Sequence, residues 1–310
     1  MRPWHYAPLL ALLVGGYLGY ACEALLRLGG VRLGPSALPL HAPPLPPAPP
    51  HLHHYSVATK ANPWALRSAS GMSAALGTTQ RLVGLGDARA PSGASGFAWA
   101  YALKLLHVQQ AAAGLPRGDL VLVTDAFDAY PVAQLASMEA AFAAAAAREA
   151  ARSSSGGGGG GGGDARPIEV LVSAEAQCFP DASLAERFPR SDRATPLPYP
   201  NSGVYMGRAG ALHRLLSEGP AWRLADTDDQ DWFARAYLAS LANASLPRVA
   251  LDHDSMLAFS MGPLKSLRVD LAWDARAGAW QDLASGSHPS VFHYNGDKVR
   301  NNWARTAALS

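Results

Sequence analysis

The segment Leu120-Val121-Leu122-Val123-Thr124-Asp125-Ala126-Phe127-Asp128 constrains this chain more than any other. A run of apolar, partly β-branched residues reads as a strand buried on both faces, the pattern of a parallel sheet covered by helices. The strand then runs out into two carboxylates three residues apart. In open α/β sheets, ligands bind beyond the carboxyl ends of the strands. Two acids facing one crevice repel each other unless a cation lies between them. Mg2+ or Mn2+ takes oxygen ligands and bridges diphosphate oxygens. A metal held in this way stabilises a departing diphosphate. On that reading Asp125 and Asp128 are metal ligands, and Phe127 between them stacks on a base. The plainer reading is that Asp125 ends the strand and Asp128 caps the next helix. An aspartyl phosphotransferase is a third reading. It fits less well, because those enzymes place the second acid two residues on and no matching downstream lysine and acidic pair stands out.

Other short apolar runs, Ser56–Thr59, Leu82–Leu85 and Glu169–Val172, alternate with predicted helices near 64–76, 98–113 and 132–151. Alternation of this kind gives an α/β domain, a Rossmann-type, mostly parallel sheet flanked by helices. The folded region is expected over 55–310 as a single domain. It is interrupted at 153–164 by a Ser/Gly insertion containing eight consecutive glycines. Such a tract buries no apolar surface and reads as a flexible loop.

The N-terminus reads as a targeting segment. Arg2 and His5 precede an apolar run, Ala7 to Cys22, of ~16 residues, against the ~20 of a full span. Beside the plainer reading of a chance apolar helix, residues 1–28 are read as a signal anchor, or as a cleaved signal peptide with Gly19 and Ala21 at the cleavage site. Either places the domain in the lumen of the endoplasmic reticulum or Golgi, as a single-pass type II membrane protein or a secreted one. Residues 29–54 are Pro-rich and read as an extended stem, with His51, His53 and His54 as solvated linker residues. Asn243-Ala244-Ser245 is a glycosylation sequon suited to that compartment. Basic and acidic residues nearly balance, 26 against 24, with no long Lys/Arg block, so nucleic acid is not an expected partner. The two cysteines, Cys22 and Cys178, lie in regions too different to pair, and the domain is expected to hold together without disulfides.

Three further motifs carry chemistry. In Val291-Phe292-His293-Tyr294-Asn295-Gly296-Asp297-Lys298, His293 suits a third metal ligand and Lys298 neutralises a phosphate. The alternative for His293 is a satisfied buried histidine. In Asp226-Thr227-Asp228-Asp229-Gln230-Asp231 four acids open an amphipathic helix that runs to about Ala242. One reading is capping and dipole complementarity. The other is an acidic face that binds acceptor hydroxyls and helps deprotonate one. Pro200-Asn201-Ser202-Gly203 reads as a turn into a short strand.

Taken in order, Val123-Thr124-Asp125-Ala126-Phe127-Asp128, Leu171 to Pro180, Asn201-Ser202-Gly203, Asp228-Asp229-Gln230, Leu251-Asp252-His253-Asp254-Ser255 and His293-Tyr294-Asn295-Gly296 resemble the glycosyltransferase domain of procollagen-lysine hydroxylases. The resemblance covers roughly 56–300. It implies a GT-A-like fold, a UDP-sugar donor and Mn2+. By match to the family's pattern, Asp125, Asp128 and His293 would ligate the metal, and Phe127 would stack on uracil. Thr124, Asn295, Gly296 and Lys298 would lie by the donor, and Asp228 and Asp229 would serve the sugar and acceptor. Glu175 would begin a loop over the site. The implied reaction is transfer of a hexose from a UDP-sugar to a hydroxyl of a protein or glycan acceptor. A catalytically degenerate lumenal binding protein of the same fold is the alternative. No hydroxylase domain is expected after Ser310.

Overall fold

A computed structural model describes residues 51–58, 80–83, 96–126, 128–133, 135–155, 166–261 and 271–295. In chain order the elements are β1 (Leu52–Val57), β2 (Gln80–Val83), α1 (Gly96–Ala113), β3 (Leu120–Asp125), β4 (Ala129–Pro131), α2 (Leu135–Ser155), β5 (Val170–Glu175), a 3-10 turn (Ala182–Arg187), α3 (Arg190–Arg193), β6 (Tyr199–Arg208), α4 (Ala209–Glu218), α5 (Asp229–Ala242), β7 (Val249–Asp252), β8 (Ala258–Ser260), β9 (Leu271–Asp274), β10 (Ala279–Asp282) and β11 (Val291–His293).

Six strands form the main sheet in the order β2-β1-β3-β6-β5-β7. Five run in one direction, and β6 alone is antiparallel to its neighbours β3 and β5. The mostly parallel α/β sheet expected from the apolar runs is the one observed. Side chains of a strand alternate between faces, and both faces here are covered. Val121, Val123, Val170 and Val172 pack with Leu105 and Val108 of α1, Leu212 and Leu215 of α4, and Trp232 and Phe233 of α5. Leu120, Leu122, Leu171 and Met206 pack on the other face with Met138, Phe142 and Ala145 of α2. Each large apolar side chain removed from water in these layers contributes roughly 1.5–3 kcal/mol.

A second, three-stranded sheet, in the order β4-β11-β8, carries the C-terminal strand beside the acidic corner. β4 follows β3 after one turn, and β11 pairs antiparallel with it, His293 opposite Ala129.

Several expectations change. β1 begins at Leu52 rather than near Tyr55 and lies between β2 and β3, with Leu52 opposite Leu120. His53 and His54 are therefore strand residues and not solvated linker. His53 Nε2 lies 2.8 Å from Asp119 Oδ2, and His54 is 1% exposed. The turn expected at Pro200–Gly203 is instead part of one continuous ten-residue strand, β6. Its pairing with β5 jumps from Val172↔Tyr205 to Ser173↔Asn201, an irregularity in which Ser202, Gly203 and Val204 bulge out of the ladder. Asn201 Oδ1 supports the bulge by accepting the Gly203 N–H at 2.9 Å. The predicted helix near 132–151 is α2 and runs on through Ser155. The glycines of the insertion lie outside the described residues, as do the predicted helix near 64–76, the segment 1–28 and the stem up to residue 50. Among the described residues, no helix is long and apolar enough to cross a membrane, and Cys178 is a free thiol.

Candidate functional site

A cleft of about 400 Å³ opens at the carboxyl end of β3, within the range of small-molecule sites. Asp125 is the last residue of β3, and Asp128 follows the turn into β4. The Tyr294 N–H donates to the Asp128 carbonyl at 2.8 Å, which holds the end of β11 against this corner. His293 is thereby brought to the two acids, its Nε2 3.5 Å from Asp128 Oδ1 and 3.8 Å from Asp125 Oδ2. One donor atom from each of Asp125, Asp128 and His293 can be chosen so that all lie within 4.8 Å of one another.

Gly203, in the β6 bulge, makes room for this arrangement. A Cβ built on it would overlap the His293 imidazole. The bulge thus places a backbone with no side chain where the ring must pass.

The donor set fits a divalent cation. Asp128 Oδ1 and both ring nitrogens of His293 are buried without a hydrogen-bond partner. Buried polar atoms normally have partners, and two carboxylates with an imidazole are a donor set for Mn2+ or a similar ion. Asp125 and Asp128 keep 32% and 22% of their side chains open to the cleft. Burial pushes the Asp125 carboxyl up to about 6, the Asp128 and Asp229 charges add to that, and Lys104 and His293 oppose it. Burial alone would lower the His293 imidazole, but the Asp128 and Asp125 carboxylates outweigh it and hold its pKa above the ordinary value.

The facing wall comes from α5. Asp228 is its N-cap, with Oδ1 accepting the N–H groups of Gln230 at 2.9 Å and Asp231 at 3.1 Å. Asp229 is buried and ion-paired with Lys104. Both acids line the cleft. Burial raises the Asp228 carboxyl above the usual range against its backbone hydrogen bonds.

Lys104 went unnoticed in the sequence. It stands on α1 with its side chain 5% exposed, and its ammonium donates to Asp125 Oδ1 at 2.7 Å and to the Ser202 carbonyl at 3.1 Å. It ties β3, the β6 bulge and α5 together. The signal was present: a lone lysine within the apolar run Ala98–Leu106 has to find carboxylates. Glu175 is a second junction. It accepts hydrogen bonds from Asn201 Nδ2 at 3.2 Å, from Asn295 Nδ2 at 2.5 Å and from Gln230. This fixes the end of β5 to α5 and to the residue after Tyr294.

The donor-side expectations divide. Asn295 lines the cleft. Thr124 does not. It is fully buried, and its hydroxyl is taken by His54 Nε2 at 2.9 Å and Ser56 Oγ at 2.6 Å. The strand alternates, so with Asp125 facing the cleft Thr124 faces away. Phe127, Gly296 and Lys298 lie outside the described residues.

The fold and site together define a mixed α/β protein with an acidic corner suited to a cation and a second acidic wall facing it. The model of the PLOD GT domain family matches residues 164–302. The chain is similar to that family over these residues, in line with the sequence resemblance. Among similar proteins, procollagen-lysine,2-oxoglutarate 5-dioxygenase of Drosophila melanogaster is 33% identical over 132 residues, 41% of this chain and 17% of that protein. The multifunctional procollagen lysine hydroxylase and glycosyltransferase LH3 of Rattus norvegicus is 32% identical over 129 residues, 41% of this chain and 16% of that protein. The chain thus spans about a sixth of the length of the curated relatives it matches. Among solved structures, mouse xyloside xylosyltransferase 1 superposes with a TM-score of 0.41 and 12% identity, covering 79% of this chain and 98% of that one.

Proposed function

We propose that this protein is an active metal-dependent glycosyltransferase that moves a hexose from a UDP-sugar to a hydroxyl of a protein or glycan acceptor. The observation that carries the reading is the convergence of Asp125, Asp128 and His293, with buried atoms left unpartnered, in a cleft whose other wall is a second acid pair.

Asp125, Asp128 and His293 would hold Mn2+. Bound there, the ion would supply positive charge toward a diphosphate departing as UDP. Lys104 keeps Asp125 and Asp229 at fixed places on opposite walls, so the donor meets a cleft that is already shaped. Asp228 has one oxygen committed to the helix cap. The other is the group we assign to the acceptor hydroxyl, and burial raises the proton affinity of this carboxylate, as suits a general base. Asp229 is assigned to the sugar. Asn295 with Gly296 and Lys298 is assigned to the diphosphate, and Phe127 to the uracil ring. Residues 1–28 are read as the anchor of a lumenal enzyme, and the stem as the Pro-rich segment that ends before β1 at Leu52.

The test is UDP release from UDP-hexoses with Mn2+ present, read beside calorimetric binding of UDP. The wild-type chain should release UDP, and Asp125→Ala should lower the rate about 1,000-fold, several kcal/mol at 1.36 kcal/mol per decade. Unchanged release in that variant sinks the metal assignment. Binding of UDP without any release makes the chain the degenerate binding protein instead.

A further inference from the structure

Asn243-Ala244-Ser245 is the one Asn-X-Ser/Thr triplet in the chain with X other than proline, and the site above makes no use of it. Asn243 is the C-cap residue of α5, at φ −130° and ψ 106°, so its side chain leaves the helix cylinder. Residues 241–245 are all exposed. The backbone there is nonetheless held in place. Asn243 N–H donates to Ala239 O at 2.9 Å, and Leu246 N–H to Asn243 O at 3.1 Å. Arg166 Nη1 donates to the carbonyls of Ala244 at 3.0 Å and Leu246 at 2.8 Å, and Leu246 is buried. The Asn243 Oδ1 accepts the Ser245 N–H at 2.9 Å. That bond engages the amide oxygen and leaves the amide nitrogen and the Ser245 hydroxyl outside it. Among the described residues nothing bonds either group.

We propose that Asn243 is an N-glycosylation site and that this end of α5 carries an oligosaccharide. In the step, the Asn243 Nδ2 attacks the anomeric carbon of an oligosaccharide held on a polyprenyl pyrophosphate, supplied with its transferase by the secretory pathway. An N–C bond forms, the amide nitrogen loses a proton, and the polyprenyl pyrophosphate leaves with the electron pair of the broken C–O bond. The folded domain accommodates the product. Asn243 sits one helix length from Asp228 and Asp229, about 20 Å along the axis at 1.5 Å per residue, so a glycan there projects clear of the cleft. A loop tip with its side chain in solvent is where such a modification belongs. The proposal rests on the lumenal reading of the N-terminus but not on the transferase reading, and its test uses no activity measurement.

The full chain is translated with and without endoplasmic-reticulum microsomes and treated with external protease and with peptide-N-glycosidase. The expected result is a single protease-protected band of raised mass that peptide-N-glycosidase returns to the untreated position. Asn243→Gln and Ser245→Ala should lose the shift, and Ser245→Thr should keep it. A protected chain with no shift overturns the site. A shift that survives Asn243→Gln does the same. A chain left accessible outside the vesicles overturns it through the compartment.

Discussion

At the scale of single residues the site depends on one missing side chain and one buried charge. Gly203→Ala puts a methyl group where the His293 ring lies. The ring must swing out, and overpacking of this kind costs about 1–3 kcal/mol. The variant should fold with a lower melting temperature and bind Mn2+ at least about tenfold more weakly, the scale seen when a ligand loses its support. Calorimetric titration of Mn2+ checks this, and unchanged affinity would remove Gly203 from the design of the site. Lys104→Met leaves Asp229 and part of Asp125 without their counter-charge. Loss of one partner of a buried pair costs about 3–5 kcal/mol. The lower end applies here, because a third of the Asp125 side chain is solvent-exposed. Urea denaturation should show that loss, and the double variant Lys104→Met/Asp229→Asn should recover much of it, since only the partly exposed Asp125 then lacks its counter-charge. The two residues also mark where reading the sequence succeeds and stops. The pair Asp125 and Asp128 is legible because an apolar strand announces its own end. Thr124 was misplaced because its type suits a donor contact, while its parity along the strand, which decides the face, points it at His54 and Ser56.

At the scale of elements, the acidic start of α5 carried two readings, and the structure shows that they are not exclusive. Asp228 caps the helix with one oxygen and borders the cleft. Asparagine caps as well as aspartate, whereas alanine costs about 1 kcal/mol. Asp228→Asn should therefore match the wild-type stability within a few tenths of a kcal/mol and still lose UDP-sugar transfer, while Asp228→Ala should lose both. Full activity in the asparagine variant would reduce Asp228 to a cap. Long elements such as β3, β5 and α1 were legible from period and run length. The β6 bulge was not. Asn201-Ser202-Gly203 is turn chemistry, and here it bends a central strand without ending it, because β3 and β5 hold β6 on both sides. The short strands β8 to β10 have no run length to announce them, and they are defined by the partners they meet.

At the scale of the whole molecule, two buried groups set opposing slopes of stability with pH. His54 is held neutral in the sheet, and burial lowers its pKa from 6.5 to about 4. A depressed folded pKa leaves its contribution intact above pH 6.5 and removes it as pH falls through 4, worth roughly 3 kcal/mol at 1.36 kcal/mol per unit. Glu149, on α2, faces His253, Arg152, Asp254 and Asp192, and burial is the largest cause of its rise from 4.5 to about 7. A raised folded pKa acts the other way. Its contribution is complete below pH 4.5 and is lost as pH rises through 7. Between pH 4.5 and 6.5 these two slopes oppose each other, and those of Asp125 and Asp252, which burial raises to about 6, add to the Glu149 side in every one of the proteins compared. Chemical denaturation across that window should separate them. Glu149→Gln leaves the His54 slope, so this variant should lose stability relative to wild type as the pH is lowered. His54→Gln leaves the Glu149 slope, so it should gain stability relative to wild type over the same range. Curves for the three proteins that run parallel would show that neither group changes protonation on unfolding. The absolute offset between them is immaterial to that outcome, since only the slope counts protons.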